Sequence, residues 1–369
     1  MIPVNTPLLN GNEKKYINEC IDTGWISSEG PFVGRFENEF AAYIGTNHGI
    51  AVCNGSAALD VAVRALNLEK GSEVIAPTFT IISPVQSLVQ QGLVPVLVDS
   101  DQATWNMKVE DIEARITPNT SAILVVHIYG LPVDMEPVMA LARKHNLKII
   151  EDAAEMHGQQ SNGQKCGSFG DVSIFSFYPN KHITTGEGGM ILTNDDALAA
   201  RCRELKNLCF LPSRRFVHEE MGWNYRMTNM QAALGVAQLE QIDWIIERKR
   251  EIGNRYNRNL QEIQGLQLPL PTTHYAENIY WVYGLVADTE DLANRIQQEL
   301  KSRKVGTRPF FWCMHEQPVF QKMNLFNTES YPVAEKMARN GFYIPSGLGL
   351  TNAEIDQVSE YLLDIVANG

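Results

Sequence analysis

The sequence predicts an α/β protein with a mostly parallel sheet of seven strands, followed by a smaller C-terminal α+β domain. Between about residue 45 and residue 210, short segments rich in Val and Ile alternate with segments of helical periodicity. The strand candidates are apolar without strict alternation, as expected for a sheet covered on both faces. This order is typical of parallel sheets, whose ligands bind beyond the carboxyl ends of the strands.

Seven segments are predicted to be strands because they are short and rich in β-branched residues. In chain order they are His48–Cys53, Glu73–Ala76, Pro95–Asp99, Ala122–His127, Lys148–Glu151, Val172–Phe177 and Met190–Thr193. Between them, apolar residues recur at helical spacing. The predicted helices are Ser56–Leu66, Val109–Ile116, Met135–His145 and Asp196–Lys206.

A second helical region follows the sheet. From Asn229 to Leu260 the pattern is helical, with Leu239, Ile242 and Ile246 on one face. The charged run Glu247–Glu251 lies within this region, and it predicts a solvated face rather than a binding patch.

The remaining chain predicts the smaller domain. Its elements are a boundary at Gly265–Pro271, a strand at Tyr280–Val286 and helices at Glu290–Arg303 and Asn352–Val366. We therefore expect a large domain over residues 1–245 and a small one over residues 246–369.

Composition and charge exclude several classes of protein. A length of 369 residues and a hydrophobic content of 44% fit a globular enzyme of about two domains. The net charge of −12 argues against nucleic-acid binding and provides no basic membrane patch. No apolar run is long enough to span a membrane, and the first residues lack the features of a signal peptide. The six cysteines show no metal-ligand spacing, so we expect a cytoplasmic protein with reduced thiols and no metal.

One lysine stands in a loop between two apolar strands. The segment Ser176-Phe-Tyr-Pro-Asn-Lys181 ends one strand, and the glycine-rich Thr185–Gly189 comes before the next. A lysine held beside a sheet is poorly hydrated, which lowers the pKa of its amine and makes it a usable nucleophile and proton carrier. Taken alone, the pattern also fits an ordinary loop lysine whose stem is buried.

Other polar residues end predicted strands at the same edge. Asn54-Gly55-Ser56 precedes a helix, where free N–H groups favour a phosphate, although Asn54 or Ser56 could simply cap that helix. Asp152 could keep a heterocyclic nitrogen protonated, or cap a following helix. Ser176 could add a hydroxyl group to the phosphate site, or be an ordinary strand residue. One amine, one carboxylate and one phosphate cradle suit pyridoxal phosphate.

Four motifs together carry a family resemblance. They are Asn54-Gly-Ser56, Glu151-Asp-Ala-Ala-Glu155, Phe175–Met190 and Gly222-Trp-Asn-Tyr-Arg-Met-Thr-Asn229. These motifs resemble those of the DegT/DnrJ/EryC1/StrS family of nucleotide-sugar aminotransferases. The resemblance runs over nearly the whole chain, from Trp25-Ile-Ser-Ser28 to Thr307-Arg-Pro309 and His315.

The resemblance implies the aspartate aminotransferase (type I) fold and pyridoxal 5′-phosphate as cofactor. It implies that Lys181 forms the Schiff base with the cofactor and that Asp152 pairs with the ring nitrogen. It also places Glu155 near the phenolic side of the ring. Lys181 and Asp152 are therefore the expected catalytic residues.

The resemblance also implies how the phosphate is held. Gly55, Ser56 and Ser176 are expected to contact it within one chain. Asn224 is expected to reach the phosphate in the neighbouring subunit, which makes a homodimer with shared active sites the catalytic unit.

The sequence departs from the family pattern at two positions. Ile81 stands where relatives often carry an aromatic residue stacked on the cofactor ring, so either an aliphatic side chain or a displaced Phe79 must cover the ring. Pro179 stands where glycine is common, and its fixed φ could give the loop before Lys181 a different path.

The implied reaction moves the amino group of L-glutamate to C4 of a nucleotide-linked 4-keto-6-deoxy hexose for a surface polysaccharide such as O-antigen. The motifs favour GDP-4-keto-6-deoxy-D-mannose, with dTDP- and UDP-linked sugars as alternatives. A sugar dehydratase is disfavoured, because relatives with that activity replace the Schiff-base lysine with histidine. The candidate substrate contacts are Trp25, Ser28, Arg226, Arg308 and His315, although each of the last three could instead be a structural ion pair.

Overall fold

The computed structural model describes residues 1–210 and 213–367, and its strands form three sheets. In chain order the strands are β1 His48–Val52, β2 Glu73–Pro77, β3 Val94–Val98, β4 Thr120–Val126, β5 Lys148–Asp152, β6 Gln160–Ser161, β7 Gln164–Lys165, β8 Val172–Ser176, β9 Gly189–Thr193, β10 Leu266–Gln267, β11 Tyr283–Ala287, β12 Arg308–Pro309 and β13 Gly341–Ile344. The pair β6 and β7 forms a small separate hairpin.

The helices surround these sheets. They are α1 Glu13–Thr23, α2 Pro31–Ile44, α3 Gly55–Ala65, α4 Ser83–Gln90, α5 Met135–His145, α6 Asp196–Leu205, α7 Asn229–Leu239, α8 Ile242–Leu260, α9 Glu290–Ser302, α10 Pro318–Lys322, α11 Pro332–Asn340 and α12 Asn352–Ala367. Within the described ranges, none of them combines the length and apolar character needed to cross a bilayer.

The large sheet has the strand order β1-β9-β8-β5-β4-β2-β3. Strand β9 runs antiparallel to both of its neighbours, and the other neighbouring pairs are parallel. The predicted α/β fold with a mostly parallel, seven-stranded sheet is therefore confirmed. The carboxyl ends of β5 and β8 lie side by side, since Asp152 is in register with Ile174.

The seven predicted strands of the large sheet match the observed ones within two residues at each end, and the predicted strand Tyr280–Val286 begins three residues before β11. One predicted helix is wrong. The segment Val109–Ile116 forms two short 3₁₀ turns, Val109–Asp111 and Glu113–Arg115. Lys108 provides no side-chain cap there, and Pro118 prevents the segment from growing. An eight-residue segment without these supports does not repay the cost of nucleating an α-helix.

An aromatic cluster supports the end of β8. Phe177 follows β8 and is fully buried, with its ring centroid 5.0 Å from that of Phe36 and 5.3 Å from that of Phe40, both on α2. Phe175 packs edge-on against Phe40 at 4.9 Å. Interlocked rings of this kind fix the backbone from which the lysine loop departs.

The smaller C-terminal region contains an antiparallel sheet of order β10-β11-β13-β12. Buried residues of α8, α9 and α12 pack together with this sheet in one hydrophobic cluster. The expected smaller α+β region is therefore present. The division after residue 245 stays a prediction, and it would fall inside α8, which runs from Ile242 to Leu260.

The prediction of a solvated face for the charged run in α8 is wrong at one residue. Lys249 is only 3% exposed, because it falls on the same helical stripe as Ile242, Ile246, Ile252 and Tyr256. The spacing of seven residues from Ile242 places Lys249 on the apolar face, and this signal was available in the sequence.

Candidate active site

A cavity of about 580 Å³ opens at the carboxyl ends of the parallel strands. Its walls come from the ends of β1, β4, β5 and β8, from the lysine loop and from the C-terminal region. The polar and aromatic side chains that line it include Asn54, Ser56, Thr80, Asp152, Glu155, Ser176, Lys181, Trp281, Phe311 and Tyr343. The fold thus brings the predicted amine, carboxylate and phosphate cradle to one place.

Hydrogen bonds fold the loop that carries Lys181 into a compact turn. The N–H of Lys181 donates to the carbonyl of Tyr178 at 2.9 Å, and Thr184 and Thr185 both donate to the carbonyl of Phe177. Gly186 adopts a φ of 79°, which lets the chain reverse into β9. The loop therefore presents Lys181 from a fixed backbone.

The amine of Lys181 lies in a nearly dry environment. Its Nζ is 3.7 Å from Oε1 of Glu155 and 3.8 Å from the ring centroid of Trp281. Burial lowers the pKa of Lys181, and the nearby carboxylates of Glu155 and Asp152 partly oppose this shift. The alternative of an ordinary loop lysine is not supported, because the side chain is only 10% exposed.

Asp152 is the last residue of β5, and its side chain is buried. Burial raises its pKa to about 6, while the hydrogen bond that it accepts from the Ala154 N–H at 3.0 Å and the charge of Lys181 lower it. The alternative role as a helix cap is wrong, since no helix begins in the fully described stretch from residue 153 to residue 195. A buried carboxylate at this strand end suits the pairing of a cationic ring nitrogen.

Glu155 faces the same amine. Its Oε2 accepts a hydrogen bond from the Tyr129 N–H at 2.7 Å, and burial raises its pKa to about 8. Because burial lowers the pKa of Lys181 and raises that of Glu155, the two groups share a proton more evenly than they would in water.

Glu151, the neighbour of Asp152 on β5, anchors the turn that precedes β8. It accepts hydrogen bonds from His127 at 3.2 Å, from three backbone N–H groups of residues 167–170 and from Ser173. Burial alone would raise the pKa of Glu151, but these donors outweigh burial and lower it. Glu151 is therefore an ionised structural residue, and it holds residues 167–170 against the end of β5 that carries Asp152.

The N-terminus of α3 forms the other end of the cavity. Asn54 is its N-cap, with Oδ1 accepting from the Ala57 N–H at 2.8 Å, and Gly55 is its first residue. A Cβ on Gly55 would lie 2.8 Å from Cβ of Ser176, so only glycine lets the helix approach β8 this closely. Asn54 therefore caps α3 while the N-terminus of the helix still faces the cavity. Gly55 belongs to the helix rather than to a turn.

Several hydroxyl groups surround this helix end. Ser56 Oγ lies 2.7 Å from Ser83 Oγ, and Ser176 faces the same space. Thr80 is buried and lines the cavity, and its Oγ1 has no hydrogen-bond partner among the described residues. A helix N-terminus with hydroxyl groups around it fits a phosphate group. With Lys181 and Asp152 lining the same cavity, the residues present fit pyridoxal phosphate.

The structure distinguishes between the two alternatives for covering the cofactor ring. Phe79 is fully buried against Tyr129, Phe310 and Phe311 and does not line the cavity. Ile81 does line it and is 47% exposed. The aliphatic alternative is therefore favoured.

The predicted substrate residues are not gathered in this cavity. Arg308 is exposed and paired in register with Tyr343, which lines the cavity. Ser28 and Arg226 lie in a second groove of about 820 Å³, where Arg226 donates to Asn207 Oδ1 at 2.7 Å rather than to a carboxylate. Trp25 is half-exposed and lines neither space.

His315 is the clearest departure from the predicted substrate contacts. It is buried, with Nδ1 2.8 Å from Thr78 Oγ1 and Nε2 3.1 Å from Glu335 Oε1. Both ring nitrogens are thus engaged inside the protein, which corresponds to the structural alternative. We withdraw His315 as a substrate contact.

Sequence reasoning missed three aromatic residues of the cavity. The C-terminal region brings Trp281, Phe311 and Tyr343 to the cavity. Trp281 follows Lys181 by 100 positions, and the other two follow it by more than 100. No motif links them to the lysine loop. Only the three-dimensional contact identifies them.

Comparison with known proteins agrees with this geometry. The model of the DegT/DnrJ/EryC1/StrS aminotransferase family matches residues 7–363. The chain belongs to this family. It is therefore an aminotransferase, with the type I fold and with pyridoxal phosphate as cofactor.

Individual relatives cover nearly the whole chain. It is 41% identical to GDP-perosamine synthase from Escherichia coli O157:H7, over 97% of both chains. It is 39% identical to GDP-perosamine synthase from Vibrio cholerae, again over 97% of both chains. The structure of Helicobacter pylori PseC, an aminotransferase involved in pseudoaminic acid biosynthesis, is 22% identical with a TM-score of 0.94 over 100% of both chains, which shows a shared fold.

Proposed function

We propose that this protein transfers the amino group of L-glutamate to C4 of GDP-4-keto-6-deoxy-D-mannose and so forms GDP-perosamine. One observation carries the proposal. Lys181, Asp152 and the open end of α3 line one cavity in a chain that is 41% identical to a GDP-perosamine synthase. The product would supply a surface polysaccharide such as O-antigen.

Lys181 is proposed as the reactive amine. The cofactor supplies an electron-accepting ring, which makes the α-carbon of the amino donor acidic. With its lowered pKa, the Lys181 amine would hold the cofactor and could take the proton from that α-carbon. The backbone of the loop fixes where this amine can reach.

Asp152 and Glu155 are proposed to set the charges around this amine. A cationic ring nitrogen beside Asp152 would stabilise the carboxylate, and the carboxylate would in turn keep that nitrogen protonated. Glu155, 3.7 Å from Lys181 Nζ, can hold a proton in exchange with the amine. Gly55, Ser56 and Ser176 are proposed to bind the phosphate.

We also propose a homodimer in which each subunit completes the other's site. Asn224 is exposed and does not line the cavity of its own chain. Ser28 and Arg226 do not line that cavity either, but lie in the second groove beside the basic residues Arg203 and Lys206. A partner placed over this surface would receive Asn224 and Arg226 at its own cavity, whereas Arg308 would meet the sugar nucleotide from within the chain.

A cytoplasmic location is part of the proposal. All six cysteines are free, and Cys20, Cys166, Cys202, Cys209 and Cys313 are buried. Free thiols in this number are expected in a reducing compartment.

Incubation with L-glutamate and a panel of GDP-, dTDP- and UDP-linked 4-keto-6-deoxy sugars tests the reaction. We expect amination at C4 of the GDP-linked D-mannose derivative, detected by mass spectrometry and NMR. Preferential amination of a dTDP- or UDP-linked sugar would overturn the assigned nucleotide. Loss of the C3 hydroxyl group without amination would indicate the dehydratase instead.

A further inference from the structure

The buried lysine of α8 has no use in the reaction described so far. Lys249 is 3% exposed, and its Nζ donates hydrogen bonds to the carbonyl oxygens of Trp281 at 2.8 Å and Ser346 at 2.6 Å. In the described part of the chain it forms no salt bridge, and burial lowers its pKa to about 7. Burying an amine without a carboxylate is costly, and an apolar side chain of similar volume is often no less stable. We therefore look for the role of Lys249 in the positions of the two carbonyl groups to which it donates, rather than in stability.

These carbonyl groups belong to two segments next to the cavity. Trp281 precedes β11, and Ser346 follows β13, which pairs with β11. The Tyr283 N–H also donates to Ser346 Oγ at 3.2 Å, so the two segments are joined directly. Through its two hydrogen bonds, Lys249 connects both segments to α8.

Trp281 in turn contacts the reactive lysine in two ways. Its ring centroid lies 3.8 Å from Lys181 Nζ, and its Nε1 donates to the carbonyl of Asn180 at 2.8 Å. The indole thus restrains both the amine and the peptide group that precedes Lys181. Since Trp281 is only 3% exposed, its ring has little freedom unless its backbone moves.

Lys249 does not act on Lys181 by direct contact. A narrow cavity of about 10 Å³ lies between them, lined by both lysines and by Asn180 and His182. The positive charge of Lys249 contributes to lowering the pKa of His182, after burial, and is not among the causes of the Lys181 shift. The remaining connection runs through Trp281.

We propose that Lys249 is a positioning residue for transamination, because it holds the Trp281 carbonyl group and thereby fixes the indole ring against the Lys181 amine. The inference rests on Lys181 as the reactive amine, but it does not depend on which sugar nucleotide is the substrate.

Lys249→Met tests this inference, because it keeps an unbranched side chain and removes the hydrogen-bond donors. Lys165→Met is the matched control, since Lys165 Nζ also donates to a carbonyl oxygen, that of Tyr43, and Lys165 lines a groove along α8 rather than the active-site cavity. In cofactor-free protein, we expect the rate at which trinitrobenzenesulfonate modifies Lys181, measured by peptide mass spectrometry, to rise severalfold in Lys249→Met only. In the holoenzyme, kcat should fall roughly ten- to a hundredfold with the KM for glutamate nearly unchanged.

Two further variants keep the inference open to refutation. Lys249→Arg should partly restore kcat, because guanidinium can also donate to two carbonyl groups. If Lys249→Met does not fold, Trp281→Phe decides, since it keeps the carbonyl group and removes the Nε1 bond to Asn180. A Lys181 labelling rate equal to that of the control would overturn the inference, whereas full activity of Lys181→Ala would refute the proposed function instead.

Discussion

At the residue scale, burial moves three ionisable side chains of one cavity away from their ordinary protonation. Lys181 loses part of its affinity for a proton, while the pKa of Asp152 rises to about 6 and that of Glu155 to about 8. A buried amine with a lowered pKa beside carboxyl groups with raised pKa values is suited to proton transfer at carbon.

Removal of the amine should abolish turnover without loss of the fold. Lys181→Ala deletes a side chain on a loop that is held by backbone hydrogen bonds, so its melting temperature should stay close to that of the wild type. We expect no transamination in a coupled assay of 2-oxoglutarate formation. Retention of even a tenth of wild-type activity, without added amine, would contradict the assignment.

Asp152→Asn keeps the size of the side chain and removes its charge. We expect the rate to fall by about a thousandfold, as is typical when a preorganised charge is lost from an active site. The half-reaction with glutamate, followed by stopped-flow absorbance, measures this directly. A normal rate would show that the carboxylate plays only a structural part.

The protonation of Glu155 predicts a pH dependence of stability. Its folded pKa of about 8 lies above the usual 4.5, so the folded state keeps a proton that the unfolded state loses. The stability that Glu155 contributes is full below pH 4.5 and is lost as pH rises to about 8. In cofactor-free protein, the melting temperature of the wild type relative to Glu155→Gln should fall between pH 5 and 8. A constant difference would refute the raised pKa.

At the element scale, the site is built from strand ends and one helix end. β5 delivers Asp152, β8 delivers Ser176 and the lysine loop, and α3 begins next to them at Gly55. The close approach of α3 to β8 requires glycine at residue 55.

Gly55→Ala should therefore weaken cofactor binding. The added methyl group meets Ser176 at 2.8 Å and would displace one of the proposed phosphate contacts. Gly34→Ala in α2 is the control, because no atom lies within 4 Å of its added Cβ. That variant should gain up to about 1 kcal/mol of stability from helix propensity. Equal cofactor affinities by fluorescence titration would remove Gly55 from the phosphate site.

The sequence was sufficient to predict the helices and strands whose hydrophobic periodicity is strong. β-branched runs located the seven strands, and strand ends located Lys181 and Asp152 without any long-range information. Periodicity was less useful where the helical pattern is short, as in Val109–Ile116. It was misapplied where a charge stands on an apolar face, as at Lys249. Trp281 could not be predicted at all, because its role depends on a contact across 100 residues of sequence.

At the scale of the whole molecule, the exposed position of Asn224 predicts complementation between subunits. Lys181→Ala and Asn224→Arg should each be inactive, and mixing them should restore activity after subunit exchange. One of the two sites of a heterodimer then combines an intact lysine with an intact asparagine. Exchange is verified by native mass spectrometry. If activity does not return, Asn224 acts within its own chain or is structural.

We propose that Lys181 is the amine through which this chain holds its cofactor. Reduction of the holoenzyme with sodium borohydride, followed by peptide mass spectrometry, identifies the lysine that is attached to the cofactor. We expect a pyridoxyl group on Lys181 at close to full occupancy. Modification of another lysine, such as Lys249, or no covalent modification at all would contradict it.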